Sequence, residues 1–147
     1  MDGKTKIESL LDLFSVKDLR DLRKLLRESF GAEADAVNLV IDGQANTHSH
    51  THTRLWIVVR NAQDAIVGFA LVDASGTMWN LCVSTEYRRH GYAKAIVRQA
   101  LHRFPQLRIV VREDNHPAIR LYEAMGFDIG IPRQPMANNH VVMVRSA

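Results

Sequence analysis

The stretch LCVSTEYRRHGYAKA, Leu81 to Ala95, sets Arg88, Arg89 and His90 directly before Gly91, small Ala93 and an amphipathic run. If that run is a helix, its first amides lack intrahelical partners and lie at the positive end of the helix dipole. Gly91 and Ala93 would then let an anion, a diphosphate above all, approach several N–H groups at once. The arginines and the histidine add positive charge or donors beside it. The motif G-x-x-x-x-G-K-S/T is missing, and one glycine does not make a dinucleotide fingerprint, so ATP and NAD are disfavoured. Read locally, the same residues also fit an ordinary solvated turn.

Two other groups have side chains capable of chemistry. Cys82, the single cysteine, sits in an apolar run with no helix N-terminus at its own position, which reads as core rather than nucleophile. His48, His50 and His52 alternate in a loop rich in Asn and Thr, a spacing that would put them on one side of an extended segment facing Zn²⁺ or Ni²⁺. No cysteine or nearby acidic ligand completes that set, so a plain loop is the preferred reading and no metal is expected.

These residues must be positioned by a folded domain. A chain of 147 residues, 46% hydrophobic and 24% charged, fits one globular domain spanning 1–147. At that length roughly 70% of the unfolded surface is buried on folding, without disulfides or metals. The opening MDGKTKIESLLDLF lacks a long apolar run with a cleavage site, and no segment is long enough to span a membrane. A cytoplasmic protein is expected. The net charge of +3 suits an anionic ligand, but between Lys17 and Glu28 the basic residues alternate with Asp18 and Asp21. That pattern reads as a solvated helix face, and a nucleic-acid partner is disfavoured because no aromatic-rich basic surface is legible.

Ile7 to Leu13 reads as a strand or a first helix, with the strand preferred. Ser15 as N-cap, Asp18 at the third position and the leucine spacing up to Gly31 predict a helix over Val16 to Phe30. A short helix around Ala34 to Leu39 and an irregular stretch to Thr53 follow. Leu55 to Arg60 and Ala65 to Val72 read as a hairpin, with Met78 to Val83 as a third antiparallel strand. Gly91 to Phe104 carries Ala93, Ile96, Val97, Ala100 and Leu101 on one face, and Leu107 to Val111 has the continuous apolar character of a buried strand. Asn115 caps a further helix with Pro117 in its first turn and Gly126 at its end; Phe127 to Ile131 and His140 to Val144 close the chain as strands. The class is α/β (α+β), with one strand-helix-strand crossover.

Arg88-Arg89-His90-Gly91-Tyr92-Ala93 resembles the Q/R-x-x-G-x-G/A signature of the GNAT superfamily of N-acetyltransferases. Asn115 to Phe127, NHPAIRLYEAMGF, is similar to that family's second motif, N-x-x-A-x-x-L-Y-x-x-x-G-F, in the right order and after a strand. The similarity covers about Trp79 to Gly130 and implies a mixed twisted sheet flanked by helices. It implies that the amides of Arg89, His90, Gly91, Tyr92, Ala93 and Lys94, with Arg88 beside them, hold the pyrophosphate of acetyl-CoA. It also implies that the backbone of Leu81, Cys82 and Val83 pairs with the pantetheine arm in a cleft where the third strand splays from the next. Asn115 would touch the same arm, and Tyr122 would donate a proton to the departing CoA thiolate. A phenol of ordinary pKa about 10 is protonated at neutral pH, so it can do this.

Neutralising an acceptor amine of pKa about 10.4 costs roughly 5 kcal/mol at pH 7, so a base or water chain is expected. Thr77 to Val83 contains no carboxylate to match the glutamate of many relatives. Asp73, Glu86 and His140 are the substitutes that topology offers. The acceptor, a small-molecule or protein amine, would be chosen by the irregular Ala32 to Thr53 region and the Ile131 to His140 loop, which carry no legible pattern. A CoA-binding regulatory domain without turnover is the rival reading, and family resemblance also allows a homodimer.

Overall fold

The computed structural model describes residues 5–10, 15–31, 55–130 and 140–145. The expected helix around Ala34 to Leu39, the residues His48, His50 and His52, and residues 131–139 lie outside the described residues.

Among the described residues seven strands form one sheet: β1 (Lys6–Leu10), β2 (Leu55–Arg60), β3 (Ile66–Val72), β4 (Thr77–Val83), β5 (Arg108–Arg112), β6 (Phe127–Ile129) and β7 (His140–Arg145). Their order is β1-β2-β3-β4-β5-β7-β6, and every neighbour is antiparallel except β4 and β5. The parallel pair needs a crossover, supplied by helix α2 (Tyr92–Arg103). The other α-helices among the described residues are α1 (Val16–Phe30) and α3 (His116–Ala124). The hairpin, the crossover and both terminal strands agree with the sequence reading to within a few residues at their ends; the strand expected to reach Ile131 stops at Ile129.

The helices divide the core into two layers. Leu22, Leu25 and Leu26 of α1 pack on Trp56, Val58, Phe69, Leu71 and Cys82 on one face of the sheet. Ile96, Val97 and Ala100 of α2 and Tyr122 of α3 pack on Ile57, Val59, Met78, Ile109 and Val111 on the other. Successive strand residues point to opposite faces, and helices cover both faces of the central strands, which explains why β2 and β3 are buried along their whole length. Each fully buried leucine of α1 contributes roughly 1.5–3 kcal/mol.

Ser15 Oγ accepts from the Asp18 amide at 3.1 Å, as its cap position predicts. The Asp18 carboxylate turns elsewhere: it takes two hydrogen bonds from the Arg60 guanidinium, at 2.8 and 2.9 Å, and so joins the first turn of α1 to the end of β2.

Candidate functional site

The site begins with a fork in the sheet. β4 and β5 pair only at Thr77 with Arg108 and at Met78 with Ile109. Beyond that point β4 follows β3 and β5 follows β7. A bulge causes the departure: Phe69 stands opposite Cys82 and Leu71 opposite Trp79, so Asn80 and Leu81 together face Ala70. Asn80 takes a left-handed φ of 60°, a conformation asparagine tolerates better than most residues, and the extra residue bends the strand.

The fork opens a cleft of about 1210 Å³. Its walls are Trp79 to Val83 of β4, Val110 to Arg112 of β5, Ser29 of α1, the first turn of α2, and Asn115, Ala118, Leu121 and Tyr122 at and in α3. His140, at the start of β7, completes it. Register places Arg112 beside His140, so both lie on the α1 side of the sheet with Val110.

At one end of the cleft the chain leaves β4 through a short 3-10 turn, Thr85–Tyr87. The Arg88 side chain folds back, its Nε donating to the Val83 carbonyl at 3.0 Å. Arg89 and Gly91 both take left-handed backbone, with φ of 66° and 82°. Gly91 is the N-cap of α2 and the helix has no side-chain cap, so the amides of its first turn stay open to a ligand. A Cβ on Gly91 would meet no atom of the described residues within 4 Å, which leaves room for a ligand to approach. Tyr87 braces the turn: its hydroxyl accepts from Asn61 Nδ2 at 3.1 Å and its ring lies 6.3 Å from that of Tyr92. Arg88, Arg89 and Lys94 line this end, so its charge is positive.

At the fork, Tyr122 is 2% exposed, and its ring meets Phe127 edge-on with centroids 6.4 Å apart. Burial pushes its phenol well above the usual range, so the hydroxyl stays protonated. Burial likewise pushes the Cys82 thiol up to about 12, which makes it a poor nucleophile although it borders the cleft. Asn115 Oδ1 caps α3 by accepting from the Ala118 amide at 3.3 Å, and the same residue lines the cleft, so both of its expected positions are compatible.

The fold therefore brings together Leu81, Cys82, Val83, Arg88, Arg89, Gly91, Tyr92, Ala93, Lys94, Asn115, Tyr122 and His140. His90 is exposed and stands apart from the cleft lining, 6.0 Å from the Tyr92 ring. Asp73 and Glu86 also stand outside the lining. Asp73 is engaged by the β3–β4 turn, where Oδ1 accepts from the amides of Ser75 and Thr77 and Oδ2 from Trp79 Nε1. Glu86 is exposed in the 3-10 turn. Sequence reasoning missed Ser29, Trp79, Asn80, Val110 and Arg112. Only the αL tolerance of asparagine offered a local signal, because the others reach the cleft through long-range packing.

A forked parallel pair, an uncapped glycine-led helix and a buried tyrosine are the features that the two sequence motifs anticipate. The sequence profile of the acetyltransferase (GNAT) family matches residues 19–127. The chain belongs to this family. Solved structures share the GNAT fold over nearly the whole chain. An acetyltransferase from Streptococcus agalactiae is 12% identical with a TM-score of 0.75, covering 99% of both chains. A chain of the NatC complex bound to Gag peptide and CoA is 16% identical with a TM-score of 0.68, covering 98% of this chain and 99% of that one. A spermidine N-acetyltransferase chimera of Vibrio cholerae and hSSAT is 19% identical with a TM-score of 0.64, covering 97% and 95%. No curated protein sequence matches this GNAT member. Among the described residues no group of His, Cys, Asp and Glu is arranged to hold a metal ion, and no helix is long and apolar enough to cross a membrane.

Proposed function

We propose that this GNAT member moves an acetyl group from acetyl-CoA to a primary amine by direct attack within a ternary complex. The observation that carries the reading is the continuity of the cleft, which runs from the uncapped, positively lined start of α2 to the unpaired edge of β4 and on to Tyr122. That path suits an elongated donor with a diphosphate at one end and a thioester at the other. The amides of the first turn of α2, with Arg88 and Arg89, hold the diphosphate. The backbone of β4 around Leu81 to Val83, left unpaired by β5 and touched there by Arg88 at the Val83 carbonyl, pairs with the amide-bearing arm, and Asn115 flanks it.

The amine attacks the acetyl carbonyl as its proton leaves, and the C–S bond breaks as the Tyr122 hydroxyl supplies a proton to the sulfur. His140 receives the proton from the amine, directly or through water, because of the three residues weighed for this role it alone borders the cleft. Asp114, held by Arg112 at 3.0 and 3.1 Å, is the only carboxylate among the described lining residues. The common sheet of the described strands supports a single acetyltransferase domain over 1–147.

Thermal unfolding with and without acetyl-CoA, followed by thiol release over a panel of amines, tests this reading. Stabilisation with release on one amine class is expected. Stabilisation without release on any amine favours a regulatory CoA-binding domain, a reading motivated by the absence of a carboxylate from β4. No stabilisation removes the donor assignment.

A further inference from the structure

Ser29 lies in the last turn of α1, next to Glu28, whose Oε1 accepts from both the amide and the hydroxyl of Thr85, at 3.2 and 3.1 Å. This clamp fixes the end of α1 against the exit of β4. Ser29 borders the cleft, as do Cys82 and Val83. A serine within a helix can return its hydroxyl to the carbonyl one turn back. Ser29 does not: its Oγ is shielded from solvent and makes no hydrogen bond of ordinary geometry to any described residue. It leans only on the Cys82 thiol, a weak partner. A shielded hydroxyl without a good acceptor is costly, and it has a reason to exist where a ligand supplies one.

We infer that Ser29 is a ligand-binding residue, whose hydroxyl turns into the cleft by rotation about χ1 and donates a hydrogen bond to an amide carbonyl of the CoA arm. The proposal rests on the donor reading given above. Under that reading the arm runs along the free edge of β4, between the diphosphate end and the fork, and Ser29 is the hydroxyl that α1 presents to this middle stretch. The contact is made from the helix side, opposite the strand, so the arm is held from two directions.

Titration calorimetry with two probes tests the assignment. CoA carries the arm, whereas adenosine 3′,5′-bisphosphate keeps only the nucleotide end. Ser29→Ala is expected to weaken CoA binding about fivefold, the worth of one ordinary hydrogen bond, while binding of the bisphosphate stays unchanged. Unchanged bisphosphate binding also reports that the variant is folded. Wild-type affinity for CoA in Ser29→Ala overturns the proposal, as does an equal loss for both probes, which would mark a general disturbance of the cleft. If the wild-type protein binds neither probe, the donor reading fails and this proposal fails with it.

Discussion

Asp73 Oδ2 accepts a hydrogen bond from Trp79 Nε1 at 3.1 Å, so the carboxylate at the end of β3 fixes the indole that borders the fork. Burial alone would raise the Asp73 pKa, but hydrogen bonds from Ser75, Trp79 and Thr77 outweigh it and hold the carboxyl below its ordinary value. A carboxylate so occupied is a weak base. Asp73→Asn sets an amide N–H against the indole N–H or against the turn amides, and is expected to lower Tm by about 3–6 °C, equivalent to about 1–2 kcal/mol. The shape of the rate–pH profile should stay that of the wild type. Loss of a limb from that profile would return Asp73 to the reaction itself.

The Asp18–Arg60 pair carries a second prediction. Both residues are 9% exposed, Arg60 also reaches Glu8 at 3.0 Å, and hydrogen bonding to Arg60 is the main cause of the depressed Asp18 pKa. Because the folded pKa lies below the unfolded one, this stabilisation is complete above the unfolded value near 4 and is lost as pH falls through the lower folded value. Asp18→Asn should cost about 3 kcal/mol at pH 7, the low end for an orphaned buried charge, since Glu8 still faces Arg60. Urea unfolding would show it. The gap between variant and wild type should narrow as the pH drops below about 4; a gap independent of pH would mean that packing, not charge, holds the helix.

How much of this was legible beforehand follows from the range of the forces involved. Ser15, Asp18 and the leucines of α1 announce the helix because capping and amphipathic spacing are local. Gly91 and Asn115 announce their helix starts for the same reason, and the two motifs place the cleft between them. The fork was legible only through family resemblance, since its cause, the bulge at Asn80, depends on which residues of β3 stand opposite. Asp73, Glu86 and His140 looked equivalent in sequence. They differ in which elements surround them: a turn claims Asp73, Glu86 remains at the surface, and pairing of β7 with β5 carries His140 to the cleft beside Arg112.

For His140, replacement by phenylalanine removes the proposed proton acceptor while keeping an aromatic ring. Turnover is expected to fall about 10²-fold, at the lower bound for a positioned acid or base, with CoA affinity retained. A variant that keeps wild-type turnover would leave the proton to solvent.

Gly91 is the sharpest test of where the diphosphate sits. Its φ of 82° disfavours any L side chain, yet the added Cβ of Gly91→Ala meets no atom of the described residues within 4 Å, so the variant should fold with a penalty of about 1–2 kcal/mol. On the proposed reading, a ligand held on the α2 amides lies close to this added methyl group. CoA binding should weaken at least about tenfold, beyond what the modest change in Tm accounts for. Affinity equal to the wild type would move the anion away from the start of α2.

Tyr122→Phe separates chemistry from binding. The phenol is buried against Phe127 and kept protonated by its surroundings, so deleting the hydroxyl leaves the packing almost intact. Turnover is expected to drop about 10²-fold, while KM for acetyl-CoA changes little, because in the proposed reaction the proton is needed only as the thiolate departs. Burial carries the phenol above its ordinary pKa of about 10, so wild-type turnover should show no loss from Tyr122 ionisation below that pH. A donor thioester with a more acidic thiol needs less help from a proton, and should close much of the gap between Tyr122→Phe and wild type. If the variant instead loses the same factor with every leaving group, Tyr122 acts by shaping the fork and the sulfur takes its proton from water.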